Sequence, residues 1–263
     1  MLIRKGLQFK LVPTAAQEQD FRRYAGACRW VWNEMLRERR DSYRATGKSP
    51  SLNAQMRRLS ALKRRPETAW LGEIQSQVLQ QSLRHLQSAF DAFFEKRARY
   101  PKFKKKKDSE ASFTFPQRVQ LDGNRVRLPK IGWVRFRRSR EVPGKVKQAT
   151  VRRKASGWYV SLLCEVEIPD PEPVPVDETN AVGVDLGLTD FAVLSTGERI
   201  PNPRPLRRLE RKLAHAQRCL SRKHNSSKRR AKQARKVALL HERVADARAD
   251  FLHKASRWLV AEN

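Results

Sequence analysis

The chain has 263 residues, and its 57 Lys and Arg against 27 Asp and Glu give a formal net charge of +30. A field that positive self-repels in a compact protein and is at home beside a polyanion. No apolar run approaches the ~20 residues of a membrane-spanning helix, the opening MLIRKGLQFKLVP lacks the apolar core of a signal peptide, and three scattered cysteines (Cys28, Cys164, Cys219) suit neither a disulfide framework nor a zinc site. These features predict a reduced, cytoplasmic protein of roughly two domains that meets nucleic acid rather than membrane.

In chain order, Gly6 to Val12 alternates loosely and stops at Pro13, which predicts one strand completed by downstream residues. From Ala15 apolar side chains recur at Phe21, Tyr24, Cys28, Val31 or Trp32, and Met35, the spacing of an amphipathic helix, with Thr14 as its N-cap. Gly47 to Pro50 interrupts it. Leu52 to Leu62 reads as a second helix and Trp70 to Arg97 as a third, with Ile74, Val78, Leu79, Leu83, Leu86, Phe90 and Phe93 on one face. A helix-turn-helix and an ordinary helical bundle are both open readings, because no recognition helix stands out.

After Tyr100 the period changes. Asp122-Gly123 marks a hairpin within Leu121 to Leu128, Ile131 to Phe136 reads as a strand, and Trp158 to Ile168 alternates cleanly. A small antiparallel barrel or sandwich follows. Residues 170–180 are acidic and proline-rich, the composition of a stiff linker. Beyond them lies a hairpin, then two helices, Leu206 to Ser221 and Lys228 to about Val260.

The hairpin segment AVGVDLGLTDFAVLSTGERI carries the sharpest chemical signal. It places Asp185 in an apolar strand directly before Leu186 and Gly187. A carboxylate inside a buried strand costs several kcal/mol unless it is paired or binds a metal, and the glycine lets a ligand approach closely. The plainer alternative is an Asp that caps a turn. Asp246 and Asp250 are four apart on the last helix, but Arg243, Arg248 and Lys254 surround them, so ion pairs are expected there rather than a cation site.

Basic clusters supply the candidate contacts to phosphate. Lys102, Lys104, Lys105, Lys106 and Lys107 follow Tyr100 and Phe103, a layout suited to backbone contacts with stacking nearby. Arg152 and Arg153 belong to a second cluster. The helical hairpin from Arg207 to Lys236 contributes Arg207, Arg208, Arg211, Arg222, Lys223, Lys228, Arg229 and Arg230 against a single Glu210. Gln80, within a helix that also bears Gln75, Gln77 and Gln81, is a candidate base reader, since a Gln amide pairs bidentately with adenine. An exposed glutamine on a bundle surface is the alternative. The histidines have no partners at metal-ligand spacing.

The ordered set FKLVPTAAQEQDFRRYAGACRWVWNEML, YPKFKKKK, LPKIGWV, GVDLGLTDFAVL and DFLHKAS resembles TnpB, the transposon-encoded RNA-guided DNA nuclease (OrfB-type transposase) related to single-effector CRISPR nucleases. The resemblance implies that Asp185 is the first of three acids in a ribonuclease-H-like (RuvC) site holding Mg²⁺, with guide RNA and target DNA as partners. It also implies a second acid, a third acid and a zinc ribbon farther along, and none of these, nor any CxxC pair, occurs in these 263 residues. The expected fold class is α+β multidomain. Residues 1–13 give the first strand of an antiparallel β-barrel, 14–99 an inserted helical recognition domain, and 100–169 the rest of the barrel. Residues 170–180 form the linker, and 181–263 an incomplete RuvC-like α/β domain. The expected chain is inactive alone, either because its missing half is supplied in trans or because it is a decayed or truncated copy; the rival is a nuclease-dead, repressor-like RNA- or DNA-binding protein.

Overall fold

The structure, a computed structural model, describes residues 1–106, 111–170 and 181–262. Lys107 and nearly all of the 170–180 linker lie outside the described residues. The chain divides into two compact units, Met1–Pro169 and Asp170–Asn263.

The first unit is a mixed α/β body built on a seven-stranded antiparallel sheet. Its strands are β1 (Leu2–Val12), β2 (Ser112–Phe115), β3 (Gln120–Asp122), β4 (Arg125–Leu128), β5 (Gly132–Arg137), β6 (Lys145–Lys154) and β7 (Gly157–Glu167), in the order β2-β6-β7-β1-β5-β4-β3. The N-terminal strand is thus interior, pairing Phe9 with Val160 of β7 and Leu11 with Phe136 of β5. It begins at Leu2, earlier than its apolar alternation suggests. Arg4 and Lys5 are held in the strand by the β7 ladder, a case of tertiary pairing overriding local pattern. Between β1 and β2 the chain inserts three helices, α1 (Ala15–Thr46), α2 (Leu52–Leu62) and α3 (Ser76–Phe94).

Helix α1 starts where a capping box fixes it. The Thr14 hydroxyl accepts from the Gln17 backbone N–H, and the Gln17 side chain accepts from Thr14 N. It stops at Gly47, which takes a left-handed φ of 68°. One face of α1 lies on the sheet, where the Phe21 ring meets Trp158 at 5.1 Å and Phe113 at 5.8 Å, and Tyr24 meets Phe113 at 5.3 Å. Phe21, Val31, Met35, Leu79, Leu83 and Leu86 are all fully buried, so helices and sheet share one apolar core.

The expected helix from Trp70 to Arg97 is two elements. A 3-10 helix covers Pro66–Glu73, the chain extends at Ile74 and Gln75, and α3 begins at Ser76. The Gln75 side chain accepts from Val78 N and caps α3. Its amide thus has a structural task at the helix end.

The second unit holds a three-stranded antiparallel sheet, β8 (Val184–Leu186), β9 (Asp190–Leu194) and β10 (Arg199–Pro201), in the order β10-β9-β8. Two long helices follow, α4 (Pro205–Ser221) and α5 (Lys228–Glu262). They close on Leu213, Ala216 and Val237, and the Phe191 ring of β9 meets Phe251 of α5 edge-on at 4.9 Å. Among the described residues no helix is long and apolar enough to cross a membrane.

Candidate nucleic-acid interface

Asp185 sits at the middle of β8, opposite Val193 of β9. The premise of a buried strand does not hold. β8 is an edge strand and all three of its residues are exposed, with Val184 45% and Leu186 69% accessible. The carboxylate therefore carries no burial penalty here, and an apolar strand sequence was a poor guide to depth because β8 lies at the edge of its sheet. Among the described residues no three His, Cys, Asp or Glu are grouped to hold a metal. Asp190 pairs with Arg199 across the β9–β10 hairpin at 3.6 Å, and Asp250 pairs with Lys254 within α5 at 2.7 Å. A pair of Mg²⁺ ions needs several carboxylates. The donor set present here does not fit it.

The basic segment after Tyr100 is pinned to α1. The Trp32 indole donates to Lys102 O at 3.0 Å, the Asn33 amide donates to Lys104 O at 2.9 Å, and Asn33 Oδ1 accepts from Lys104 N at 2.8 Å. Lys104 is turned inward, its ammonium 3.8 Å from the Trp32 ring centroid, and burial lowers its pKa. Its ammonium is thus engaged with the Trp32 ring, and the residue is half-buried. Lys102, Lys105 and Lys106 remain exposed, and Lys107 lies outside the described residues. Arg152 and Arg153 are exposed on β6, with the Arg153 guanidinium 5.9 Å from the Trp158 ring.

Gln80 is half-exposed on α3. Gln75 caps the helix and donates to Gln77, and Gln81 meets His85, so among the four glutamines of this stretch the Gln80 side chain alone makes no hydrogen bond to the described residues.

In the second unit Arg207, Arg208, Arg211, Arg222, Lys228 and Arg229 are exposed along the α4–α5 hairpin. Lys223 is half-buried, and Arg230 is turned inward with its Nε buried and unpartnered. Glu210 is the one acid of α4, and no ion pair among the described residues neutralises this stretch.

Sequence reading missed a cleft of about 620 Å³ in the first unit, lined by Arg29, Trp30, Asn33, Arg37, Trp70 and Phe103. Its signal was present as the stripe Arg29, Asn33, Arg37 at four-residue spacing on α1.

A family model described as "Probable transposase" (OrfB of IS605 type) matches residues 161–263, and a companion "Helix-turn-helix domain" model of the same family matches residues 1–48. In the structure the latter span is strand β1 and the whole of the single helix α1. The "Putative RNA-guided DNA endonuclease InsQ" of Escherichia coli K12 is 39% identical over 254 residues, covering 96% of this chain and 62% of that protein. A "Putative RNA-guided DNA endonuclease" of Streptomyces pristinaespiralis is 40% identical over 266 residues, covering 99% and 65%. The chain therefore spans somewhat less than two thirds of the length of these relatives. A chain from the cryo-EM structure of the Cas12f1–sgRNA–target DNA complex aligns over 97% of this chain and 71% of its own, with a TM-score of 0.35 and 17% identity. That likeness is too low to carry an argument.

Proposed function

Because the chain belongs to the OrfB (TnpB-type) family of transposon-encoded RNA-guided DNA endonucleases, we propose that it binds guide RNA and its heteroduplex with target DNA as part of such a nuclease. The observation that carries this reading is the α4–α5 hairpin. Two apposed helices present Arg207, Arg208, Arg211, Lys228 and Arg229 to solvent with a single acid in α4. Helices that cationic repel one another unless a polyanion lies against them. A protein of this kind reads duplex shape and backbone and leaves the sequence to base pairing.

On the same reading, the seven-stranded sheet is a barrel interrupted by a helical recognition insert, and the second unit is the first part of a RuvC-like domain. Asp185 would be one ligand of a Mg²⁺ site for phosphodiester hydrolysis whose other carboxylates the described residues do not supply. Among the described residues no other carboxylate is grouped with it to hold a metal. Cleavage needs further acids, in cis or in trans. The alternative is a nuclease-dead, repressor-like RNA- or DNA-binding protein.

Binding of the 263-residue chain to duplex and to structured RNA, measured against salt, tests the first claim. Each phosphate neutralised contributes about −0.9 to the log–log slope on duplex DNA, and a flat response would remove the nucleic-acid reading. Joined to the C-terminal third of a relative, the chain should cut DNA. There Asp185→Ala should abolish cutting and leave RNA affinity nearly intact; undiminished cutting would remove Asp185 from the site.

A further inference from the structure

The aromatic cleft on α1 is built for more than packing. Phe103 is 41% exposed, yet both of its neighbours are anchored: Lys102 O accepts from the Trp32 indole, and Lys104 is held at N and O by Asn33. A large apolar side chain left in water is ordinarily free to move; this one is held in place on both sides. The Arg40 guanidinium lies 5.2 Å from its ring centroid, a cation–π contact that further orients it. Trp70 is 40% exposed and is fixed edge-to-face against Trp30 at 5.7 Å. Two held, half-exposed rings thus border one cleft.

The charge around these rings is positive. Among the described residues Glu34 is the one acid lining the cleft, and it is matched by Arg37 and by Arg58 at 3.3 Å. Arg29 has no acidic partner among the described residues. Arg29 and Arg37 stand eight residues apart on α1, about 12 Å along the helix axis, and so flank the aromatic walls. The volume of about 620 Å³ falls in the ~300–1,000 Å³ range of small-ligand clefts.

We infer that this cleft receives one unpaired nucleotide of a bound single strand, its base stacked on Trp70 and Phe103 and the adjoining phosphates on Arg29 and Arg37. Every base offers a π face, so the site tolerates any sequence. An everted base held here would mark where the strand leaves a duplex. The inference rests on the nucleic-acid-binding reading above but names a site that the basic hairpin does not require.

The test uses the full chain and strands of about 12 nucleotides, in RNA and DNA forms, with a central 2-aminopurine. Stacking should quench the probe in whichever form is the natural occupant. Trp70→Ala and Phe103→Leu should each weaken binding roughly tenfold and relieve the quenching without changing the salt slope. Phe103→Tyr, which keeps a stacking ring, should retain both. Arg29→Gln should reduce the salt slope by about 1. Melting temperatures near wild type would show the variants folded. Wild-type binding that Trp70→Ala and Phe103→Leu both leave within about twofold, in RNA and DNA alike, would overturn the cleft assignment alone. Uridine monophosphate binding as tightly as the strands would overturn the strand as occupant. Failure of the wild-type chain to bind either strand would overturn the nucleic-acid reading with it.

Discussion

Asn33 and Lys104 exchange two hydrogen bonds, side-chain amide to backbone carbonyl and backbone amide to side-chain oxygen, at 2.9 and 2.8 Å. This single residue of α1 therefore fixes a loop that is 71 residues later in the chain. Asn33→Ala leaves a partly buried backbone N–H and C=O without partners, and should cost about 1–3 kcal/mol. Urea unfolding checks it, and limited proteolysis should show new cleavage between Tyr100 and Lys106. A stability unchanged from wild type would mean the loop is held by Trp32 alone.

The three thiols should differ sharply in reactivity, because the thiolate is the nucleophile. Burial pushes Cys28 up to about 12 and raises Cys164 as well. Cys219 is half-buried on α4, with its sulfur 3.5 Å from His215 Nε2. Iodoacetamide at pH 8 should modify Cys219 in the folded protein, and Cys28 and Cys164 only after denaturation. Peptide mass spectrometry would read this directly; early labelling of Cys28 would mean that α1 opens from the core.

The elements legible in the sequence are those whose burial is periodic. Phe21, Tyr24, Cys28, Val31 and Met35 mark the buried face of α1, and Trp158, Val160, Leu162 and Cys164 the buried face of β7. Strand β6, KVKQATVRRK, was hidden because its alternation is weak and polar, and the β2 and β7 ladders hold it extended. Arg39 was equally hidden. It is 5% exposed, donating from Nε to Gln55 Oε1 at 2.8 Å and from Nη2 to Gln87 Oε1 at 2.6 Å, and no local pattern marks an arginine as core. At the candidate site, charge was readable from composition, but whether a given lysine faces solvent was not. Lys104 and Lys105 are adjacent, and only the first is clamped over Trp32.

That buried arginine is itself a test. Burial lowers its pKa, opposed first by the nearby Asp91 and then by the Glu38 charge, while the guanidinium donates to the two glutamine oxygens and lies 4.7 Å from the Phe90 ring. Arg39→Ala removes the guanidinium and opens a void between α1, α2 and α3, and should cost about 2–4 kcal/mol. Arg39→Met, which refills the volume, should recover part of that loss. Equal unfolding midpoints for the two variants would show that hydrogen bonding rather than packing holds the site.

Two glycines with similar dihedral angles should respond differently. Gly144 has φ 62°, and a Cβ there would lie 2.0 Å from the Glu165 carbonyl oxygen. Gly47 has φ 68° with nothing within 4 Å. Gly47→Ala should cost about 1 kcal/mol, the left-handed penalty alone. Gly144→Ala adds a backbone collision and should cost about 2–4 kcal/mol. Thermal melts of the pair separate conformational strain from steric overlap.

The collision at Gly144 lies beside an ion-pair cluster that makes stability depend on pH. A register shift between Val146 and Gln148 leaves Lys147 unpaired in the β6–β7 ladder, and its ammonium reaches Glu165 Oε2 at 2.8 Å. Arg4 approaches the other oxygen at 3.3 Å from β1. The Lys147 hydrogen bond, then its charge and the Arg4 pair, hold the Glu165 carboxyl below the usual carboxylate range. A depressed folded pKa means the unfolded chain takes up the proton first. The stabilisation is therefore complete above the ordinary glutamate value of ~4.3 and is lost as pH falls through the lower folded value. Urea midpoints followed from pH 7 to pH 3 should fall more steeply for wild type than for Glu165→Gln, the two curves converging at the acid end. Parallel curves would mean that solvent screens the cluster and that the bulge, not the charge, is what the fold keeps there.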